Sequence, residues 1–279
     1  MDLGRFLGVA HQTVDAASQR LRAAVGARPR IEYKSAIDLV TDTDRAVEAL
    51  VIERLRAAFP DHLIVAEEGS AGGPPARPRL EQYAWYLDPL DGTTNFAHGH
   101  PHFAVSLALA RGDELLLGVV ADPLRGETFT AVRGGGATLN GQAIRVSDVG
   151  ALGQALLATG LPYDRREHAD DYLDVIKAFV LRAQGIRRAG SAALDLCYLA
   201  CGRFDGYWEW KLSPWDTAAG VLIVREAGGV VTDFGGAPFA LYGQETLASN
   251  GLLHAAMSEV LVARPRSAPP DRRDAGPTG

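Results

Sequence analysis

Apolar residues recur with the period of a helix in two stretches near the N-terminus, residues 3–25 and 43–59. Charged residues interrupt the first stretch, which predicts an amphipathic helix and argues against a signal peptide or a membrane anchor. The second stretch ends at Pro60, and proline lacks the amide hydrogen that a continuing helix needs. The pattern therefore predicts two helices before any strand of the main body.

Short apolar runs predict strands in the rest of the first half. Residues 63–66 form one run, and residues 84–87 form a second that breaks abruptly into a polar motif at Asp88. Three further strand-like runs, separated by polar turns, follow at about 103–110, 115–121 and 127–132. Strands joined by short turns indicate an antiparallel sheet in this half of the chain.

Strands and helices alternate in the second half. The predicted elements are a strand at 155–159, a helix at 168–183, a strand at 186–188, a helix at 191–201, a strand at 206–210, a helix at 214–227 and a strand at 229–232. This alternation predicts a second sheet flanked by helices, so the fold class is a layered α/β protein. Residues 1–262 are expected to form a single domain, and residues 263–279, which have almost no apolar side chains, a disordered tail.

The charge balance excludes one class of partner. The 279 residues carry 28 Lys and Arg against 34 Asp and Glu, a net charge of -6. The tail holds four Arg and two Asp, so the rest of the chain is more acidic, at -8. An acidic body argues against affinity for nucleic acid based on neutralising phosphates. No apolar run approaches the roughly 20 residues that span a bilayer, so we expect no membrane partner either.

Cysteine usage indicates a reducing compartment. Cys197 and Cys201 lie one helical turn apart in a predicted helix, where a disulfide between them would be strained. With no second pair nearby they also make a poor zinc site. We interpret both as small hydrophobic residues of a cytoplasmic protein.

The candidate chemistry begins where the strand at 84–87 ends. Asp88 and Asp91 lie three residues apart around a proline, and Gly92 and Thr93 follow at a possible helix start. Two carboxylates at this spacing suit Mg²⁺, which takes one or two carboxylates together with waters and a substrate phosphate. The amide hydrogens of Gly92 and Thr93 could hold a phosphate oxygen. The alternative is an Asp-rich turn with ordinary helix caps.

Other acidic positions are ambiguous when taken singly. Glu67 and Glu68 end the strand at 63–66, where an adjacent acidic pair is commonly a solvent-facing feature. Asp216 lies three residues after Ser213 and can belong to a capping box. Asp44 follows Thr41 at the same spacing and has the same alternative.

Three separated motifs, taken together, remove much of that ambiguity. They are Glu67-Glu68, then Asp88-Pro89-Leu90-Asp91-Gly92-Thr93-Thr94-Asn95, then Trp215-Asp216-Thr217-Ala218-Ala219-Gly220 followed by Glu226-Ala227-Gly228-Gly229. In this order they make the chain resemble the inositol monophosphatase family of Mg²⁺-dependent phosphatases, over roughly residues 5 to 262. The resemblance implies an αβαβα sandwich of the type shared with fructose-1,6-bisphosphatase.

The resemblance also implies a set of metal ligands for two to three Mg²⁺ ions. A first ion would be held by Glu67, Asp88 and the backbone carbonyl of Leu90. Asp88, Asp91 and Asp216 would hold a second ion, with Asp88 bridging the two.

By the same resemblance, the catalytic residues are Glu67, Thr93 and Asp44. Thr93 and Glu67 would direct a water at phosphorus, and a third ion would lie near Glu67 with Asp44 reached through water. No covalent enzyme intermediate is needed, because positioning and electrostatics suffice for phosphoryl transfer.

The resemblance implies a small phosphorylated polyol as substrate. The residues that would contact it are Asp91, Gly92, Thr93, Ser191, Ala192 and Glu209. Glu209 resembles the family's polyol-binding glutamate, although it could also be the polar position of an alternating strand. No further acid follows within residues 208–212, which favours a neutral polyol over a cationic substrate.

The leading hypothesis is therefore the hydrolysis of inositol-1-phosphate to myo-inositol and phosphate. The alternatives keep the chemistry and change the substrate to histidinol phosphate or fructose-1,6-bisphosphate, and a non-catalytic partner-binding role is a further one. The resemblance implies a homodimer. The pair Arg187-Arg188 is interpreted as a surface or dimer feature, and the histidines at 98, 100 and 102 as a loop rather than a zinc site.

Overall fold

The computed structural model describes residues 3–26, 31–33, 39–70 and 76–263. The predicted disordered tail, from residue 264 onward, lies outside the described residues. Within the described segments, no helix combines the length and the apolar character needed to cross a membrane. Cys197 and Cys201 are both free thiols, as the sequence predicted, with Cys197 buried and Cys201 half-buried.

Two long helices form the first layer. Helix α1 spans Leu3–Ala24 and helix α2 spans Asp42–Ala58, with a small antiparallel pair, β1 (Ile31–Tyr33) and β2 (Leu39–Thr41), between them. The apolar stripe predicted for α1 is the face that is buried, because Ala10, Val14, Ala17 and Leu21 are fully inaccessible. Both helices match their predicted bounds to within one residue at each end.

The larger sheet has seven strands in sequential order. They are β3 (Leu63–Ala66), β4 (Tyr83–Asp91), β5 (Ala104–Arg111), β6 (Glu114–Asp122), β7 (Glu127–Val132), β8 (Ala137–Leu139) and β9 (Gln142–Ala143). Strand β3 pairs parallel with β4, and every other pair is antiparallel. The predicted antiparallel sheet is thus present, with one parallel strand at its edge.

The second sheet has five strands in the order β11-β10-β12-β14-β13. They are β10 (Leu156–Thr159), β11 (Gly185–Arg187), β12 (Gly206–Trp210), β13 (Val230–Thr232) and β14 (Glu245–Ser249). The remaining helices are α3 (Thr93–Ala97), α4 (Ala169–Val180), α5 (Ala192–Ala200), α6 (Pro214–Glu226) and α7 (His254–Val262). The first three strands of this order pair in parallel, and β14 pairs antiparallel with both of its neighbours.

The elements stack in five layers. Helices α1 and α2 contact the seven-stranded sheet, α5 and α6 lie between the two sheets, and α4 and α7 contact the other side of the second sheet. Small residues permit the central packing: a methyl group on Gly118 of β6 would come within 2.9 Å of the backbone of Ala219 in α6. This αβαβα order agrees with the fold class predicted from the sequence.

One predicted boundary is wrong in a way that matters for the site. The strand predicted at 84–87 does not break at Asp88; β4 continues to Asp91, with a shift of register between Asp88 and Asp91. Burial explains the extension, because the strand remains covered through Leu90 despite its two aspartates. The motif therefore begins inside the sheet rather than in a loop after it.

Candidate active site

A cleft of about 680 Å³ opens where the two sheets approach each other. Its walls come from the ends of β3, β4, β10 and β12 and from the starts of α3, α5 and α6. The sequence-predicted site residues that line it are Glu67, Asp88, Leu90, Asp91, Gly92, Thr93, Ser191, Ala192, Glu209 and Asp216. Residues up to 149 positions apart in the chain are thus brought to one cavity, and Asp44 is the predicted residue that does not line it.

The irregular end of β4 presents two aspartates to the cleft. The amide of Leu90 donates to Asp88 Oδ1 at 2.9 Å, which holds the chain in a tight turn between the two acids. Asp88 is 3% exposed and Asp91 is 9% exposed. Gly92 then has φ 96°, a left-handed conformation that a residue with a side chain adopts only with strain, and α3 begins at Thr93.

Asp91 is anchored to the other half of the molecule. Its Oδ2 accepts hydrogen bonds from Ser191 Oγ at 2.6 Å and from the amide of Ala193 at 2.8 Å, at the start of α5. Burial raises the pKa of Asp91 to about 6, although these donors oppose the rise. Ser191 is also the N-cap of α5, so its hydroxyl orients Asp91 as well as capping the helix.

Asp44 reaches the cleft through Thr93. Thr93 Oγ lies 2.9 Å from Asp44 Oδ1 and 2.9 Å from the carbonyl oxygen of Leu90. The other carboxyl oxygen of Asp44 accepts from the backbone amide and the hydroxyl of Thr41, which completes the capping box of α2. Asp44 is fully buried, and burial raises its pKa. Its capping role and its contact with the site therefore coexist.

Asp216, like Asp44, combines a helix cap with a position at the site. It is the third residue of α6, and its Oδ2 accepts from the amide of Ser213 at 2.7 Å in a capping box. The residue also lines the cleft. Burial raises its pKa well above the usual range, and the charges of Glu67 and Asp91 raise it further.

The acids of the cleft repel one another. Burial is the main cause that raises the pKa of Asp88, followed by the charges of Glu67, Asp91 and Asp216. Across the described segments, no three His, Cys, Asp or Glu side chains converge closely enough to form a complete metal cage. Buried carboxylates on an open cleft fit Mg²⁺, because this ion completes its octahedral shell with waters and substrate phosphate.

Glu209 lies near the end of β12, within electrostatic range of Asp91 and Asp216. Its side chain is buried, and its Oε2 accepts from the hydroxyl of Tyr207 at 2.5 Å. Burial raises the pKa of Glu209 to about 7. The carboxylate packs directly against the α-carbon of Gly160, where a methyl group would overlap it.

Sequence reasoning assigned no role to four charged residues that line the cleft. Arg188, Arg165, Asp195 and Lys211 all line it, and Lys211 forms an ion pair with Asp164 on the opposing loop. Arg188 is exposed, as predicted, but its exclusion from the site is wrong: it lines the cleft, and its charge lowers the pKa of Asp91 and Glu209. No signal in the sequence separated Arg188 from its neighbour Arg187, which is also exposed but does not line the cleft.

A sequence model of the inositol monophosphatase family matches residues 2–266 of the chain. A Synechocystis protein named inositol-1-monophosphatase is 43% identical over 266 residues, which cover 95% of this chain and 91% of that protein. A Pseudomonas aeruginosa protein named Nus factor SuhB is 50% identical over 208 residues, 74% of this chain and 76% of that protein.

Solved structures show the same likeness. The inositol monophosphatase from Anabaena (Nostoc) sp. PCC 7120 matches with a TM-score of 0.85 and 41% identity, over 95% of this chain and 98% of that chain. The Thermotoga maritima IMPase TM1415 matches with a TM-score of 0.83 and 36% identity, over 94% and 97%. The three sequence motifs therefore indicated the right relatives and the right fold.

Proposed function

Because the chain belongs to the inositol monophosphatase family, a family of phosphatases, we propose that it hydrolyses inositol-1-phosphate to myo-inositol and phosphate with the help of Mg²⁺. The observation that supports this most directly is the cleft, whose wall combines several buried aspartates with the buried Glu209. The relative named inositol-1-monophosphatase supports the choice of substrate.

The proposed Mg²⁺ ligands are mainly the carboxylates of the cleft. We propose that Glu67, Asp88 and the Leu90 carbonyl hold one Mg²⁺, and that Asp88, Asp91 and Asp216 hold a second. When bound, Mg²⁺ supplies the positive charge that lets a phosphate monoester approach these carboxylates, and it lowers the pKa of a bound water. A third ion near Glu67 is part of the same proposal.

Thr93 and Glu67 orient the attacking water. The Thr93 hydroxyl is held between Asp44 and the Leu90 carbonyl, so its oxygen has a fixed position beside the phosphate end of the cleft. The water oxygen attacks phosphorus in line, the bond from phosphorus to the ester oxygen breaks, and that oxygen takes a proton as the hydroxyl of the product. The amides of Gly92 and Thr93, at the start of α3, hold phosphate oxygens.

Glu209 accepts hydrogen bonds from hydroxyl groups of the leaving polyol. Tyr207 occupies its Oε2, so Oε1 is the oxygen that remains for the substrate. Ser191 and Ala192, at the start of α5, line the same side of the cleft.

A substrate panel tests the proposal. The purified protein is assayed for phosphate release from inositol-1-phosphate, histidinol phosphate and fructose-1,6-bisphosphate, with and without Mg²⁺. We expect the highest kcat/KM for inositol-1-phosphate and no turnover after chelation of the metal. Faster turnover of either other ester would contradict the substrate assignment, and turnover in excess chelator would contradict the metal requirement.

The variant Asp91→Asn tests the ligand set. The amide oxygen of Asn can still accept from Ser191 and Ala193, so the fold is retained while the charge is lost. We expect kcat/KM to fall by at least about 100-fold, because even changes around a metal's ligands cost 10–100-fold. Asp170→Asn, an exposed acid on α4, is the matched control. Turnover close to that of the wild type would refute the assignment of Asp91.

One observation favours a second candidate function, the binding of a protein or RNA partner without catalysis: several relatives are named Nus factor SuhB rather than phosphatase. In that case Asp91→Asn loses turnover and keeps partner binding. The family resemblance also supports a homodimer, which light scattering in solution measures. The free thiols Cys197 and Cys201 support a cytoplasmic location.

A further inference from the structure

A buried carboxyl oxygen on the cleft wall has no hydrogen-bond partner. Asp195, on α5, is 1% exposed, and its Oδ1 accepts no hydrogen bond from any residue of the described segments. The residue nevertheless borders the cleft. Leaving a buried acceptor unpaired is costly, so such an atom in a folded protein calls for a ligand or a water.

Asp195 belongs to the Glu209 end of the cleft. It lies within electrostatic range of Glu209, which has the larger effect, and of Asp91 and Arg188, and the phenol of Tyr207 lies within range of all three acids. Tyr207 donates its proton to Glu209, so it is not available to Asp195. Residues 208–212 contain no acid besides Glu209. Asp195, on α5, places a second acid near it from a different part of the chain.

We propose that Asp195 is a second specificity-determining residue, which accepts a hydrogen bond from a hydroxyl of the leaving group beside the hydroxyl that Glu209 accepts. This deepens the proposed function and rests on it. Two acceptors on adjacent elements, β12 and α5, suit a ring that carries neighbouring hydroxyls. A phosphate ester without such hydroxyls leaves Asp195 Oδ1 unpaired.

Arg188 favours a hydroxyl over an ammonium group as the donor. Its guanidinium lies against Gly190, which also borders Gly92 and Asn95 at the start of α3, and a methyl group on Gly190 would come within 2.8 Å of Arg188 Nη1. Among the described residues, no carboxylate forms a salt bridge with it, and its charge lies within electrostatic range of both Asp195 and Glu209. This positive charge offsets part of the attraction of the two acids for a cationic leaving group, and it leaves hydrogen bonding to neutral hydroxyls unaffected.

The test compares two esters in the presence of Mg²⁺. Inositol-1-phosphate carries hydroxyls on its leaving group, and p-nitrophenyl phosphate carries none. For Asp195→Ala we expect the ratio of their kcat/KM values to fall about tenfold, mostly through KM for inositol-1-phosphate, which corresponds to the loss of one hydrogen bond. Asp195→Asn keeps an acceptor oxygen, so its ratio should stay within about threefold of the wild type.

Two outcomes overturn the proposal. An equal loss of kcat/KM on both esters assigns Asp195 to the support of the fold, and kcat/KM values that stay at the wild-type level on both esters assign its oxygen to an ordered water. If Asp195→Ala does not fold, Asp195→Leu preserves the volume and removes the acceptor, and the same ratio is measured. Asp205→Asn is the control for losing a buried acid elsewhere, since Asp205 pairs with Ser147 and the amide of Leu156.

The design separates this proposal from the proposed function. If the wild type hydrolyses p-nitrophenyl phosphate but not inositol-1-phosphate, the substrate assignment fails, and the best hydroxyl-bearing ester of the panel replaces it in the ratio. Histidinol phosphate is the third ester in the comparison, because its leaving group carries an amine. A loss in Asp195→Ala that is largest for this ester contradicts the assignment to hydroxyl recognition.

Discussion

Two acids, Asp216 in the cleft and Asp44 behind it, combine a helix cap with a place at the site. Asp216 caps α6 with Oδ2, and Asp44 caps α2 with one oxygen while it holds Thr93 with the other. Sequence reasoning set capping and chemistry against each other as alternatives for both residues. The spacing of Ser or Thr and Asp is right for a cap in each case, and only the folded structure shows what the other oxygen meets.

At the scale of single residues, the substitution Gly160→Ala tests whether Glu209 contacts the substrate. The added methyl group would occupy the place of the Glu209 carboxylate, which lies at the end of a flexible side chain and can move away. We expect KM for inositol-1-phosphate to rise about tenfold, the value of one lost hydrogen bond to a charged group, with a smaller effect on p-nitrophenyl phosphate. Steady-state kinetics on both esters measures this.

Gly150→Ala is the matched control, because nothing lies within 4 Å of the added methyl group there. If Gly160→Ala left KM for inositol-1-phosphate unchanged, Glu209 would not be a substrate contact. A strong loss of thermal stability in Gly160→Ala alone would show that Glu209 cannot move away.

The elements that the sequence predicted well are those with a long apolar period. Helices α1 and α2 and strands β5 to β7 agree with their predicted bounds to within one residue at each end. The missed elements are short, such as β8 and β9, or lie in the C-terminal region, where β14 and α7 were not assigned. Strands β8 and β9, of three and two residues, have no periodicity to read, and they form by pairing with a sheet that is already present.

The second family motif also has a purely structural component. Glu226, at the end of α6, accepts hydrogen bonds from the amides of Gly134 and Gly136, each at 2.9 Å. These bonds fasten α6 to the turn between β7 and β8. Nothing in the motif itself distinguishes this glutamate from the acids of the cleft.

We therefore expect Glu226→Ala to lower the free energy of unfolding by about 1–3 kcal/mol, because two amides lose a charged acceptor. The Mg²⁺ dependence of turnover in Glu226→Ala should match that of the wild type. Urea unfolding and a Mg²⁺ titration of activity measure the two quantities. Glu259→Ala, an exposed acid on α7, is the control, and a shift in Mg²⁺ dependence for Glu226→Ala would contradict a structural role.

On the scale of the whole molecule, the cleft between the sheets is acidic, because seven acidic residues line it against three basic ones. Sequence motifs identified the family and most of the cleft's acids, since these residues belong to contiguous signatures. Asp195 and Arg188 were not assigned to the site, because no local pattern places them near Glu209. Their proximity is a product of the packing of α5 against β12 and of the pairing of β11 with β10, the neighbour of β12.

The buried acids make stability depend on pH in the absence of divalent ions. Burial raises the pKa of Asp91 to about 6 and that of Glu209 to about 7, so the folded state holds protons that the unfolded state has released. The stabilisation is complete below about pH 4 and is lost as the pH rises to about 7. We expect the metal-free protein to unfold more easily across this range, and Mg²⁺ to restore stability most at the upper end.

Urea unfolding at several pH values, with and without Mg²⁺, measures this dependence. Glu209→Gln removes one of the titrating groups, so the slope of stability against pH should become shallower. Metal-free stability that rises between about pH 4 and about pH 7 would show that other groups dominate the balance.

The two sheets contribute unequally to the cleft, and this has a consequence for how such proteins diverge. Glu67, Asp88 and Asp91 come from the seven-stranded sheet, whereas Glu209 and Gly160 come from the five-stranded sheet. With the roles proposed above, mutations in the second sheet can change the leaving group that is recognised, while the proposed metal ligands of the first sheet and Asp216 on α6 stay in place. A lineage built this way can acquire new substrates without rebuilding those carboxylates.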